Sequence, residues 1–167
     1  QSIGQFAVFN SDSAEELQII QHALVHLARR DSHASLKYWS HYQQTHEFTD
    51  AARSAIVSAI IKGLHKQGAT AVADSYFSDH LQLLNETLDG SLVEWRIRLA
   101  LGKKDWPNVA LWLGRLPENL QSRTSWRYWT IRSMLSNPLT TEHPALQQMT
   151  ESLAQERDFY GFLASDM

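Results

Sequence analysis

The sequence predicts an all-α protein, a superhelical array (an α-solenoid) of antiparallel helix pairs. Three observations carry this prediction. Only seven Gly and four Pro punctuate 167 residues, too few for a chain of short strands and tight turns. Apolar residues recur at three- and four-residue intervals, while the alternation of a half-buried strand is rare. Finally, a shift of 34 residues sets Leu92 on Trp126, Trp95 on Trp129, Ile97 on Ile131, Arg98 on Arg132 and Leu101 on Leu135.

A helix-pair period near 34 is the period of tetratricopeptide-like arrays. The Trp-Leu-Gly-Tyr pattern of such repeats is poorly kept, so the expectation is a degenerate, TPR-like solenoid. In such arrays each pair buries its apolar faces against its neighbours, and the stack curves.

The elements follow in order. Ser11-Asp12-Ser13 precedes Glu15-Glu16, an N-cap region with acidic residues in the first turn. The first helix carries Leu17, Ile20, Leu24, Leu27 and Ala28 and stops near Asp31-Ser32. A second covers about His33 to His46, with Leu36, Tyr38, Trp39 and Tyr42. A third runs from Thr49 to Lys66 and is ended by Gly68, and a fourth runs from Thr70 to about Leu84. SLVEWRIRLALG (91–102) ends at Gly102. Asp105-Trp106-Pro107 opens the next helix, with Pro in the first turn where its missing N–H costs little. That helix is expected to end at Leu116-Pro117. SWRYWTIRSMLS (125–136) ends at Asn137-Pro138, HPALQQMTESLAQERD follows, and FYGFLASDM closes the chain. The whole, 1–167, reads as a single helical-repeat domain.

The totals exclude several classes. Fifteen Lys and Arg stand against 18 Asp and Glu, a net charge of −3. The basic residues are scattered, and their longest runs are the pairs Arg29-Arg30 and Lys103-Lys104. A nucleic-acid binder needs a basic stripe, so nucleic acid is not an expected partner. The absence of cysteine excludes disulfides, iron–sulfur clusters and thiol chemistry, and suits an exported protein. No apolar run approaches the roughly 18–20 residues of a membrane helix, so no transmembrane segment is expected. The start, QSIGQFAVFN, lacks the basic and apolar regions of a signal peptide. The expectation is a removed signal or a start inside a longer chain.

The stretch SWRYWTIRSM (125–134) is unusually rich in aromatic and basic residues. On a helical wheel Trp126, Trp129 and Met134 share one side, and Tyr128, Ile131 and Leu135 the other. Arg127 and Arg132 sit on the borders. A helix apolar on two sides is sandwiched between layers. The expectation is therefore that both tryptophans are core wedges, rather than a sugar-stacking platform or a nucleic-acid grip.

No constellation for catalysis stands out. His22 and His26 are four apart on one helix, a spacing that suits a shared metal, but HALVH lacks the Glu of a zinc-protease helix and a third ligand. His41 and His46 are spaced less well. Neither a metal nor a cofactor is expected. Glu15, Glu16, Glu151 and Glu156 read as solvated helix charges. There is no GxSxG elbow, no GxxxxGK[ST] and no GxGxxG.

Three segments together point further. DWPNVALWLGRLP (105–117), SWRYWTIRSML (125–135) and LAQERDFYGFLASDM (153–167) resemble soluble lytic murein transglycosylases, near the end of their large helical N-terminal region. The resemblance is good over 91–167. Over 11–90 it is one of style, carried by LARRD (27–31) and LKYW (36–39).

The resemblance implies a periplasmic protein of Gram-negative bacteria, with a superhelical, ring-forming helical region followed by a separate lysozyme-like domain. The whole enzyme cleaves the β-1,4 bond between N-acetylmuramic acid and N-acetylglucosamine without water and leaves a 1,6-anhydro end. A Glu does the acid–base work in a motif that begins Glu-Ser and continues into Gly-Ala-x-Gly-Leu-Met-Gln. Here Glu151-Ser152 is followed by Leu153-Ala154-Gln155, and Gly-Leu-Met-Gln is absent. No residue of this chain is therefore expected to be catalytic, and the chain reads as a helical fragment of the larger enzyme. Its partners would be peptidoglycan glycan strands, reached through the parent enzyme, and proteins of cell-wall synthesis or hydrolysis. Trp39, Trp106, Trp112 and Arg127 are the candidate glycan contacts. A TPR-like protein–protein adaptor is the competing reading.

Overall fold

The computed structural model describes residues 13–167. Among these residues there are eleven α-helices and no strand, so the all-α prediction holds. Ser11, Asp12 and the QSIGQFAVFN segment lie outside the described residues. The chain forms two compact units, one ending at Leu88 and the other running Asp89–Met167.

In the first unit, α1 (Ala14–Arg30) starts at Ser13, whose Oγ accepts the Glu16 N–H at 3.1 Å. Asp31 joins α1 to α2 (Ser32–Thr45). Its N–H closes α1 on the Leu27 carbonyl at 2.7 Å, and its Oδ1 accepts the Ala34 N–H at 2.9 Å to cap α2. Two buried serines lock this corner: Ser32 Oγ donates to the Ala28 carbonyl at 2.7 Å and Ser35 Oγ to the Leu24 carbonyl at 2.8 Å.

Helix α3 (Asp50–Lys66), capped by Thr49, is the axis of this unit and packs on α1, α2, α4 and α5. Ile56, Val57, Ile60, Ile61 and Leu64 are fully buried on it, because a helix with neighbours all round needs apolar residues on more than one face. Gly63 permits a close approach of α3 to the end of α1. A Cβ there would collide with the Ala28 carbonyl oxygen and Ser32 Oγ.

One expected helix is in fact two, α4 (Thr70–Asp79) and α5 (Leu81–Leu88). The break lies at His80, whose ring packs on Tyr76 at 4.3 Å between centroids. Its Nδ1 donates to the Tyr76 carbonyl at 2.8 Å, so a side chain occupies an acceptor at the end of α4. Ser54 and Thr87, whose hydroxyls are 2.6 Å apart, tie α5 to α3.

In the second unit, α6 (Ser91–Gly102) begins after Gly90, in the left-handed region at φ 73°. A side chain at Gly90 would also press on Pro117 and Leu120. Helix α7 (Trp106–Leu113) is N-capped by Asp105, which accepts the Asn108 N–H at 3.3 Å. It ends at Gly114, earlier than expected, because the next residues turn into a one-turn helix, α8 (Glu118–Gln121), that the sequence did not disclose. There follow α9 (Thr124–Leu135), α10 (Pro144–Ala154) and α11 (Phe159–Ser165).

Helix α9 packs on α7, α10 and α11, the sandwiched position expected of it. Ile131, Leu146, Leu153 and Ala164 form a core there. The 34-residue correspondence extends to burial at four of its five pairs, Leu101 being half-buried where Leu135 is exposed. Leu92 and Trp126 are buried, as are Ile97 and Ile131; Trp95 and Trp129 are half-buried, and Arg98 and Arg132 are exposed.

Candidate functional site

The candidate glycan contacts divide by burial. Trp39 is 1% exposed and Trp112 0%. A ring without accessible surface offers no face to a ligand, so these two residues are corrected to core. Trp39 meets Phe48 edge-on at 5.1 Å. Nearby, burial pushes the pKa of the Tyr76 hydroxyl up to about 12. Trp112 lies against two guanidinium groups, Arg115 at 4.4 Å and the buried Arg96 at 5.4 Å from its centroid. Trp106 is half-buried in the first turn of α7.

In SWRYWTIRSM the two tryptophans differ. Trp126 is buried, and its Nε1 donates to Glu94 Oε1 at 2.7 Å, with Arg98 5.5 Å from its ring. Trp129 is only half-buried, and Leu135 is exposed, so the apolar faces of α9 are narrower than the wheel implied.

Arg127 keeps a surface position. Its Nη1 donates to Glu156 Oε1 at 2.9 Å and its Nη2 to Ser152 Oγ at 2.9 Å. It lines two adjoining depressions. One of about 260 Å³ is walled by Ile131, Gln148, Met149 and Ser152. The other, wider and about 650 Å³, runs past Thr124 and Asp158 to Phe159 and Tyr160. Thr124 Oγ1 donates to Asp158 Oδ2 at 2.6 Å, and the Gly161 N–H donates to Asp158 Oδ1 at 2.9 Å. The Thr124 bond, then the Gly161 N–H, holds the Asp158 carboxyl below its ordinary value.

Sequence reasoning named Arg127 but not the residues beside it, Ser152, Asp158, Phe159 and Tyr160. For Asp158, Phe159 and Tyr160 the only signal was their place in LAQERDFYGFLASDM, because a seven-residue helix has too few turns to reveal its exposed side; Ser152 lies just before that segment, on α10.

Of the remaining candidates, Glu151, His22 and His26 are surface groups, whereas Glu16, expected to be solvated, and His46 are largely buried against one another. Glu151 is exposed and accepts from Gln147 at 2.8 Å. His22 and His26 are exposed on α1, and His46 meets Glu16 at 3.5 Å. Among the described residues no three His, Asp or Glu side chains converge as a metal site, and no helix is long and apolar enough to cross a membrane.

No family model matches the chain. The soluble lytic murein transglycosylase of Salmonella typhimurium is 25% identical over 148 residues, 89% of this chain and 22% of that protein. The Escherichia coli K12 protein of the same name is 35% identical over 75 residues, 45% of this chain and 11% of that one. Among solved structures, the lytic transglycosylase Slt of Pseudomonas aeruginosa aligns with 98% of this chain and 25% of its own, at 29% identity and a TM-score of 0.64. The 70-kDa soluble lytic transglycosylase of Escherichia coli aligns with 97% of this chain and 25% of its own, at 23% identity and a TM-score of 0.71, a likeness of fold. The chain thus spans about a quarter of the length of the relatives it matches, and it is homologous to a partial, helical region of the soluble lytic murein transglycosylases.

Proposed function

We propose that this chain is a non-catalytic, superhelical region of a periplasmic soluble lytic murein transglycosylase. It guides peptidoglycan glycan strands toward a separate lysozyme-like domain, which cleaves the N-acetylmuramic acid–N-acetylglucosamine β-1,4 bond to a 1,6-anhydro product. The observation that carries the reading is the alignment of nearly the whole chain with the Pseudomonas enzyme at 29% identity. The single Glu-Ser of the chain supports the non-catalytic role. Glu151 is a solvated carboxylate on α10, whereas a general acid needs a fixed geometry and an environment that tunes its proton affinity. A remote helical region assists such chemistry by supplying binding energy and orientation.

Co-sedimentation with intact sacculi, with released muropeptides read by mass spectrometry, tests this. The protein is expected to pellet, to be competed off by free glycan strands and to release no anhydro-muropeptides. Protein left in the supernatant overturns the guiding role.

One observation favours a second reading, a TPR-like protein–protein adaptor. An open apolar groove of about 320 Å³ between α1 and α2 is lined by Ile19, Leu24, Leu27, Tyr38 and Tyr42. Such a groove suits an amphipathic helix of a cell-wall protein. Complex formation independent of peptidoglycan distinguishes this reading from the first.

A further inference from the structure

We propose that the groove shared by α9, α10 and α11, centred on Arg127 and ending at Phe159, is a saccharide-binding subsite of the second unit. It rests on the preceding reading for the identity of the sugar, a β-1,4-linked N-acetylated glycan.

The shape comes from the helices. Gln148 and Ser152 are one turn apart on α10, and Glu156 follows just beyond its end, so three polar side chains of one segment succeed one another. Arg127 on α9 faces this row, bound at 2.9 Å to both Ser152 and Glu156. The two depressions that Arg127 joins make an elongated trough.

The charge excludes a polyanion as the occupant. Arg123 and Arg127 are matched in the trough by Glu156 and Asp158. The Arg127 guanidinium is already committed to Glu156, and Arg123 lies 3.7 Å from Glu94. What remains is a balanced surface of hydroxyl, carboxylate and guanidinium groups, and such a surface suits a neutral ligand rich in hydroxyl and acetamido groups.

The aromatic end completes the match. Phe159 is 67% exposed, and lone exposed apolar residues are common on protein surfaces. This one, however, ends a row of aromatic contacts. Its ring meets Tyr160 edge-on at 5.3 Å, Tyr160 lies 5.6 Å from Tyr128, and Tyr128 meets Trp129 at 5.2 Å. The row of rings thus sets an accessible apolar face beside polar groups that are held by hydrogen bonds. Apolar contact with a few placed polar groups is how small-ligand sites obtain both affinity and orientation, and preorganisation lowers the entropy lost on binding.

The test titrates the 167-residue protein with tetra-N-acetylchitotetraose, a peptide-free β-1,4-linked oligomer, and follows amide shifts by NMR. Saturable shifts are expected around Arg127, Ser152 and Phe159. Phe159→Ala should weaken binding about tenfold, the worth of one well-placed aromatic contact. Phe162→Ala is the control, since Phe162 is equally exposed on the same helix but does not line the trough. It should bind as the parent does, and circular dichroism should show both variants folded. Equal affinities for the two variants, shifts confined to other helices, or no saturable binding each overturn the subsite. If sacculi still retain the protein in those cases, the subsite alone falls and the guiding role stands. If sacculus retention is also lost, both fall.

Discussion

The indole N–H of Trp126 reaches across from α9 to Glu94 on α6, with 2.7 Å between Nε1 and Oε1. Trp126 is thereby a structural strut rather than a ligand platform, and its polar atom is used inside the fold. Trp126→Phe keeps most of the ring but removes this donor, leaving the largely buried Glu94 carboxylate short of a partner. The expected loss is about 1–3 kcal/mol, against about 3–5 kcal/mol for Trp126→Ala. Urea denaturation of the two variants should rank them in that order.

Trp129 is expected to be cheaper to remove. Its ring is half-buried, so Trp129→Ala should cost about 1–2 kcal/mol, below the range of a core tryptophan. A denaturation midpoint shifted as far as that of Trp126→Ala would show that the ring is core after all.

Gly63 sits where α3 meets the end of α1. A methyl group there strikes the Ala28 carbonyl oxygen, which belongs to backbone and cannot rotate away. Gly63→Ala should therefore lower stability by about 1–3 kcal/mol, despite the gain of up to about 1 kcal/mol in helix propensity. Thermal melts are the readout. The variant Ser32→Ala,Gly63→Ala should not recover, since the carbonyl collision persists.

Two groups give the stability a pH dependence, of opposite sense. The Asp158 carboxyl is lowered in the folded state, chiefly by Thr124. Its contribution is present above about pH 4 and is lost as pH falls through the folded value. Thr124→Ala should flatten that acid-side decline. The Tyr76 hydroxyl is raised from 10.0 to about 12 by burial. Its contribution is present below pH 10 and is lost as pH climbs toward 12. Tyr76→Phe should reduce the alkaline decline, measured by denaturant titration across that window.

Much of the fold could be read from caps and periodicity. Ser13, Thr49 and Asp105 start the helices expected of them, and Gly102 ends α6 as foreseen. The break at His80 could not be read, because it depends on one ring reaching one carbonyl. Nor could α8, a single turn without a period. The candidate site was less legible for a related reason. In a helix with neighbours on several sides, spacing marks an aromatic as apolar-facing but does not say which face stays open. Trp39 and Trp112 were therefore indistinguishable in sequence from Phe159, although two are core and the third is exposed.

Asp31 gives this chain a joint without slack. Because one residue both closes α1 and opens α2, there is no spare link at that corner to absorb an added amino acid. The turn after α9, by contrast, spans several residues before α10 begins. Engineering that splices in tags, cleavage sites or new chain ends should find the stretch around Leu139 permissive and the corner at Asp31 intolerant.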